Sequence, residues 1–142
     1  MGHDSPERYE SGTLCTPAIA GLYTGVEFIK NMGIERIAEH ERSLWNLAYE
    51  HLSAIGGITV YDKIPGPVLL FNVDGLHPDD VGRQLAEKGY CLRSGYHCAP
   101  LAHQALGTPE GGALRIGFGI FNDREQTISL CNELEIIAHN MI

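Results

Sequence analysis

Residues 91–101 read CLRSGYHCAPL, a short apolar stretch followed by a glycine turn and a cysteine. The thiol of Cys98 directly follows His97 and lies five residues after Arg93, and Arg115 belongs to a later apolar stretch. Thiolate rather than thiol is the nucleophile, and nearby cations favour the thiolate. These neighbours make Cys98 a candidate nucleophile. The alternative is that Cys98 is a small buried side chain and His97 an ordinary surface residue.

The same region holds residues of the types that bind soft metal ions, namely Cys91, His97, Cys98 and His103. A structural zinc site usually spaces its ligands in short pairs such as Cys-x2-Cys. The adjacent His97 and Cys98 are poorly placed to share one tetrahedral ion. We therefore expect no metal site at this segment.

The size and charge of the chain limit what it can be. Its 142 residues, 44% of them hydrophobic, are enough for one globular domain with a real core. No apolar run approaches the ~20 residues of a membrane helix, and no secretory signal is recognisable at the start. A net charge of −8 with ten scattered Lys and Arg residues argues against a nucleic-acid surface. Four irregularly spaced cysteines without an export signal predict free thiols in a reducing cytoplasm.

Hydrophobic periodicity and turn residues predict an α+β fold. Apolar residues three or four apart indicate a long amphipathic helix over residues 34–54, with Trp45 anchoring its buried stripe. A second helix, over residues 16–29, is apolar nearly all round. The other predicted elements are strands at 58–61, 68–73, 90–93 and 114–120, helices starting at 77–78 and 122–123, and a short helix at 100–106. We expect a small, mostly antiparallel sheet with helices packed on one face, preceded by an extended arm over residues 1–13.

The helix predicted at residues 16–29 raises the question of what covers it. A helix with apolar residues on every side is typically buried on more than one side. A chain of 142 residues has little material to provide such cover. Either the chain is part of a larger protein or this helix pairs with another subunit; an ordinary core helix is the alternative.

Several segments resemble one family of enzymes. Residues 93–101 (RSGYHCAPL) look like the active-cysteine segment of cysteine desulfurases and selenocysteine lyases, pyridoxal-phosphate enzymes of the class V aminotransferase family. Residues 8–13 (RYESGT) and 16–22 (TPAIAGL) resemble the segment that begins the C-terminal portion of these enzymes. Residues 113–122 (ALRIGFGIFN) resemble the strand that carries their substrate-binding arginine. The resemblance implies that residues 14–142 are the small C-terminal domain of a fold-type I pyridoxal-phosphate enzyme whose large domain is absent here.

The resemblance implies roles for individual residues of these segments. Cys98 is the nucleophile that takes the substrate sulfur as a persulfide, with alanine as the other product. Arg115 falls on the arginine that grips the substrate carboxylate, a task suited to a planar, two-pronged donor. Arg93 is a second cation at the substrate site, and His97 lies beside it and tunes Cys98. The alternatives are a structural ion pair for Arg93 and an exposed spectator role for His97.

The resemblance also implies pyridoxal 5'-phosphate as the cofactor. Gly12 and Thr13 match the segment that reaches the cofactor phosphate of the partner subunit in the family's dimer, and an ordinary turn is the alternative for this pair. The family's cofactor lysine has no counterpart, because Lys30, Lys63 and Lys88 lie in other settings. We therefore predict that this chain alone neither holds the cofactor covalently nor removes sulfur.

Three functional hypotheses remain open. The first is the C-terminal domain of a homodimeric enzyme that acts on cysteine or selenocysteine and passes the sulfur to an acceptor protein. The second is a free-standing carrier in which Cys98 accepts persulfide from another enzyme. The third is a catalytically inactive module that dimerises through its first helix. The sequence does not distinguish sulfur from selenium as the atom removed.

Overall fold

A computed structural model describes Tyr9 and residues 12–140 of the chain. The chain divides into two compact units, Met1–Arg36 and Ile37–Ile142. The arm predicted over residues 1–13 lies largely outside the described residues, so its boundary stays a prediction. No helix in the described part is both long and apolar enough to cross a membrane.

Helix α1 of the first unit spans Thr16–Met32 and so extends past the end predicted at residue 29. It begins with Pro17 in its first turn, where a missing N–H is tolerated. It ends at Gly33, whose φ of 89° is strained for other residues and whose N–H donates to the carbonyl of Ile29. None of its residues is buried, and Leu22 is 70% exposed.

The second unit is an α+β layer, which confirms the predicted fold class. Its sheet has four antiparallel strands in the order β1-β2-β4-β3. The strands are β1 (Ile58–Val60), β2 (Val68–Val73), β3 (Arg93–Gly95) and β4 (Ala113–Gly117). The helices are α2 (Ile34–Ala54), which begins in the first unit, α3 (Pro78–Glu87), α4 (Pro100–Leu106) and α5 (Arg124–His139).

One face of the sheet carries the hydrophobic core. Leu69 and Phe71 of β2 lie opposite Ile116 and Leu114 of β4, and all four side chains are buried. Helices α2, α3 and α5 contribute the buried side chains Ala48, Leu52, Val81, Leu85, Leu130 and Leu134 to the same cluster. Because side chains alternate along a strand, the residues between these core positions point to the other face of the sheet.

Trp45 joins helix α2 to the sheet. Its indole Nε1–H donates to the carbonyl of Val68 over 2.9 Å, and its ring stacks on Tyr49 with centroids 4.8 Å apart. Trp45 is 2% exposed, and a buried indole needs such a partner for its N–H. The predicted anchoring role of Trp45 is confirmed.

The third strand differs from the prediction, which placed it at residues 90–93. Tyr90 and Leu92 pack against the core without joining the ladder, and the Tyr90 N–H donates instead to the carbonyl of Leu85 at the end of α3. The apolar alternation thus reflects packing on the core, while pairing with β4 begins only at Arg93. The fourth strand is also shorter than predicted. The N–H of Phe118 still donates to the carbonyl of Pro67 in register with β2, but the N–H of Gly119 donates to the side chain of Asn122 instead.

We predict that Gly112→Ala destabilises the second unit more than Gly57→Ala does. Both glycines are left-handed, with φ of 81° and 86°, and alanine costs about 1–2 kcal/mol in that conformation. At Gly57 an added methyl group meets nothing within 4 Å, so this variant measures the conformational cost alone. At Gly112 the methyl group overlaps the carbonyl of Gly95 and lies 2.9 Å from the nitrogen of Tyr96.

Urea unfolding of both variants measures the difference. Backbone atoms cannot move aside as a flexible side chain does, so Gly112→Ala should lose roughly 2 kcal/mol more free energy of unfolding than Gly57→Ala. Equal losses for the two variants would show that the chain does not pack closely at Gly112.

Candidate active site

Two arginines face each other across adjacent strands. The antiparallel register places Arg93 of β3 directly opposite Arg115 of β4, and on the other side Arg115 lies opposite Leu70. Arg93 is exposed and Arg115 half-buried. No ion pair among the described residues includes either guanidinium. Like charges directly opposite each other destabilise a sheet, so this pair is suited to binding an anion such as a carboxylate.

The opposite face of β3 is held by helix α3. The hydroxyl of Ser94 donates to the carboxylate of Asp79, and Gly82 of α3 lies against the Ser94 side chain. Ser94 and Arg93 are neighbours in the strand, so their side chains point to opposite faces of the sheet. The contact that holds Ser94 toward α3 therefore holds Arg93 toward the face opposite α3, called the open face below.

A strained turn presents the candidate nucleophile. His97 and Cys98 follow β3 with φ of 52° and 59°, two consecutive residues in the left-handed region that glycine normally occupies. Such a conformation costs about 1–2 kcal/mol per residue for amino acids with a Cβ. The turn is closed by the N–H of Ala99, which donates to the carbonyl of Tyr96 over 2.9 Å, and helix α4 begins at Pro100.

The four cysteines of the chain differ in exposure. Cys15, Cys91 and Cys98 are free and exposed, whereas Cys131 is free and buried in the core. Burial raises the pKa of the Cys131 thiol to about 11, so that thiol is inert at neutral pH. The alternative that Cys98 is a buried core residue is therefore wrong.

His97 lies among the charged groups of the site. Partial burial lowers the pKa of His97 below its ordinary value of 6.5. The positive charges of Arg115 and Arg93 lower this pKa further, and the hydrogen bond from His97 Nε2 to the Arg93 carbonyl opposes them. Because this pKa lies below 6.5, His97 is predominantly neutral at pH 7, and the guanidiniums of Arg93 and Arg115 are the positive charges that act on it.

A buried histidine completes the site and was not predicted as part of it. His103 of α4 is 3% exposed, and its Nε2 lies 3.3 Å from Nδ1 of His97. From the sequence, His103 was a candidate only as a potential metal ligand. No group of three or more His, Cys, Asp and Glu side chains among the described residues is arranged to hold a metal ion. The sequence signal that was available is a histidine one turn into a short helix that starts directly after the candidate cysteine.

The predicted cofactor residues lie in the first unit. Gly12 and Thr13 are exposed, and an added methyl group at Gly12 meets nothing within 4 Å. These two residues therefore form no cradle for a phosphate on their own, and their role stays a prediction.

Two cavities in the described part of the second unit do not fit a lysine-bound cofactor. One, of about 710 Å³, lies beside Cys91 between residues 89–92, the end of β4 and the first turns of α5. The other, of about 430 Å³, is lined by Tyr61, Asn72 and His77 among others. No lysine lines either cavity.

The three lysines are engaged elsewhere or exposed. Lys30 pairs with Glu27, Lys88 pairs with Glu133, and Lys63 is exposed. A cofactor that forms a Schiff base needs an amine inside its pocket, so the residues described here do not by themselves fit pyridoxal phosphate.

The chain is similar to curated enzymes that are about three times as long. It is 32% identical over 136 residues to a probable cysteine desulfurase of Staphylococcus epidermidis, an alignment that covers 93% of this chain and 32% of that protein. A probable cysteine desulfurase of Halobacterium salinarum is 32% identical over 133 residues, covering 90% of this chain and 31% of that protein. The chain thus spans about a third of the length of these relatives.

Solved structures and a family sequence model agree with these relatives. The apo structure of a cysteine desulfurase from Thermococcus onnurineus NA1 superposes with a TM-score of 0.87 at 31% identity, covering 95% of this chain and 34% of that chain. The Escherichia coli cysteine desulfurase CsdA, in an S-sulfonic acid form, superposes with a TM-score of 0.87 at 28% identity, covering 99% of this chain and 34% of that chain. The aminotransferase class-V model matches residues 2–130. The chain therefore belongs to the aminotransferase class-V family.

Proposed function

We propose that this chain is the C-terminal part of a pyridoxal-phosphate-dependent enzyme that removes sulfur from cysteine, or selenium from selenocysteine. The observation that carries the proposal is the pair of guanidiniums, Arg93 opposite Arg115, whose charges act on His97, the residue directly before the exposed thiol of Cys98. An amino acid substrate offers a carboxylate for the arginines and a chalcogen for the thiol. The cysteine desulfurases among its relatives support the same activity.

Arg115 and Arg93 bind the substrate carboxylate. A guanidinium presents parallel N–H donors that match the two oxygens of a carboxylate. Arg115 is half-buried and therefore less screened by water than the exposed Arg93, so it contributes more to binding. An anion between the two side chains also relieves their mutual repulsion.

Cys98 accepts the sulfur atom as a persulfide, and the carbon skeleton leaves as alanine. Pyridoxal phosphate would supply the electron sink for cleavage of the carbon–sulfur bond. Apart from the phosphate contact of Gly12 and Thr13, residues outside this chain would hold it. His97, neutral and in contact with β3, belongs to the wall of the substrate site. An acceptor protein then takes the sulfur from the exposed turn.

The first unit serves assembly in this proposal. Helix α1 exposes the apolar side chains Ile19, Leu22, Tyr23, Val26 and Ile29. In the longer enzyme this surface is covered by the remaining part of the protein or by the second subunit of a homodimer. Gly12 and Thr13 contact the cofactor phosphate of the partner subunit. Four free cysteines fit a reducing cytoplasm.

Replacing the nucleophile tests the assignment of Cys98. In the longer enzyme that the proposal requires, Cys98→Ser should lower alanine release from cysteine on the order of 100-fold or more, because a hydroxyl cannot carry the sulfur. Cys91→Ser is the matched control, since Cys91 is also free and exposed. Mass spectrometry of the wild-type enzyme after turnover should find the persulfide on the Cys98 peptide. Full activity of Cys98→Ser would show that Cys98 is not the sulfur acceptor and would overturn the proposal.

Conservative substitution of the arginines tests the carboxylate site. Arg115→Lys keeps the charge and loses the two-pronged geometry, so kcat/KM for cysteine should fall about 10–100-fold, as expected for the loss of a hydrogen bond to a charged group. Arg93→Lys should lose less. Arg83→Lys, on the exposed side of α3 and paired with Asp80, should leave kcat/KM unchanged. Equal behaviour of the Arg115 and Arg83 variants would exclude Arg115 from substrate binding.

The 142-residue chain itself provides a further test. Mixed with pyridoxal phosphate, it should show no absorbance band of a stable aldimine, and it should release no alanine from cysteine, because no lysine lines either of the two cavities described above. Alanine release by this chain would show that the cofactor site lies within it. Persulfide on Cys98 without cofactor, after exposure to a persulfide donor protein, would instead favour the sulfur-carrier function.

A further inference from the structure

A continuous series of hydrogen bonds runs behind the turn that presents Cys98. Nε2 of His97 lies 3.3 Å from the carbonyl oxygen of Arg93, and its Nδ1 lies 3.3 Å from Nε2 of His103. Nδ1 of His103 lies 3.0 Å from the hydroxyl oxygen of Thr108. The series therefore connects strand β3, the left-handed turn, helix α4 and the loop that follows it.

The donors and acceptors in this series follow from its ends. A carbonyl oxygen only accepts, so Nε2 of His97 carries the hydrogen. In a neutral imidazole the other nitrogen is then an acceptor, so Nδ1 of His97 requires a hydrogen from Nε2 of His103. Nδ1 of His103 is in turn an acceptor. The single hydrogen of the Thr108 hydroxyl has two acceptors within reach, Nδ1 of His103 at 3.0 Å and the carbonyl oxygen of His103 at 3.5 Å, and we assign it to the nearer one, Nδ1. Each ring nitrogen is thereby satisfied, with both rings in the tautomer that carries its hydrogen on Nε2.

His103 is held rigidly enough to impose this arrangement. Its ring is 3% exposed and meets the ring of Tyr96 edge-on, with centroids 5.5 Å apart and planes at 88°. The hydroxyl of Tyr96 accepts a hydrogen bond from the N–H of Gly111 over 3.1 Å. The N–H of Thr108 donates to the carbonyl of His103 over 3.2 Å, which fixes the hydroxyl beside the ring.

We propose that His103 and Thr108 are positioning residues that hold His97 in the tautomer with hydrogen on Nε2, and thereby stabilise the left-handed turn that presents Cys98. The bond from His97 to the Arg93 carbonyl spans the turn from its start to the residue before the thiol. Two consecutive strained residues need such support to persist. Only the catalytic role of Cys98 is taken from the proposed function; the tautomers and the conformation of the turn do not depend on it.

A consequence concerns the chemistry of His97. Both of its ring nitrogens are engaged, one with Arg93 and the other with His103. His97 therefore does not act as the general base for the neighbouring thiol, although the two residues are adjacent in sequence. It acts on Cys98 through the geometry of the backbone.

The tautomers are measured directly in the 142-residue chain. Long-range ¹H–¹⁵N correlation spectra distinguish a protonated ring nitrogen from a bare one, and backbone couplings report the sign of φ at His97 and Cys98. We expect hydrogen on Nε2 of both His97 and His103 and positive φ at both turn residues. Hydrogen on Nδ1 of His97, or negative φ in the turn, would overturn the proposal whether or not the longer enzyme has activity.

Variants separate positioning from packing. His103→Phe keeps a buried ring without nitrogen, so His97 should become a mixture of tautomers and the positive φ of the turn should be lost. His103→Gln places an N–H near the former Nε2 and should restore both signals. Thr108→Val removes the hydroxyl that donates to Nδ1, so His103 should become a mixture of both tautomers, whereas Thr108→Ser keeps the hydroxyl and should keep the hydrogen on Nε2. Unchanged spectra in both His103→Phe and Thr108→Val would refute the proposal, and the Thr108 pair decides the matter if His103→Phe does not fold.

In the longer enzyme the same variants should change kcat rather than KM. The arginines that bind the carboxylate remain in place, while the thiol is misplaced, so His103→Phe should lower kcat about tenfold, the factor that corresponds to one net hydrogen bond. His103→Gln should recover most of that loss. A wild-type enzyme without desulfurase activity would remove the proposed function and leave the tautomer result standing. A loss confined to KM, or no rescue by His103→Gln, would count against positioning.

Discussion

The antiparallel register between β3 and β4 is the constraint on which the candidate site depends. It places Arg93 opposite Arg115 on the open face, and Ser94 opposite Leu114 on the face toward α3. Because side chains alternate with a period of two, a slip of β3 by one residue against β4 would turn Arg93 from the face of Arg115 to the face of the core. A buried unpaired guanidinium is far more costly than an exposed one, so the hydrophobic core that fixes the register also fixes the proposed carboxylate site.

The close approach of Gly112 to Gly95 extends this constraint to the thiol. The strand pair ends where Gly95 lies opposite Ala113, and the absence of a side chain at Gly112 lets the chain at Tyr96 pass directly beside it. The turn at His97 therefore starts from a position set by the sheet. The loop at residues 109–112 is connected to the turn at His97 and Cys98 through Tyr96. The hydroxyl of Tyr96 accepts a hydrogen bond from Gly111 in the loop, and Tyr96 directly precedes the turn.

How far the sequence predicts this molecule depends on how local each signal is. Helix α2 and strand β2 were predicted with their observed bounds, because a long apolar period and a short apolar run leave little choice. Strand β3 was misplaced, since packing of Tyr90 and Leu92 on the core imitates the alternation of a paired strand. Cys98, Arg93 and Arg115 were predicted as site residues through a motif, and their roles stay predictions. His103 was missed as part of the site because its partners, His97 and Thr108, come together only through the fold of the turn and α4.

Two features at and after β3 are locally unfavourable, namely the like charges of Arg93 and Arg115 and the left-handed conformation of His97 and Cys98. Each is stabilised in a different way. The repulsion between Arg93 and Arg115 has no compensating acid among the described residues, so only a bound anion removes it. The left-handed His97 and Cys98 are instead supported from within, by the hydrogen bonds through His103. Proteins break such local rules chiefly where function requires it. The turn is supported by bonds within the chain, whereas the two positive charges lack a counter-charge among the described residues, and this difference favours the proposed anionic substrate over a purely structural role for the arginines.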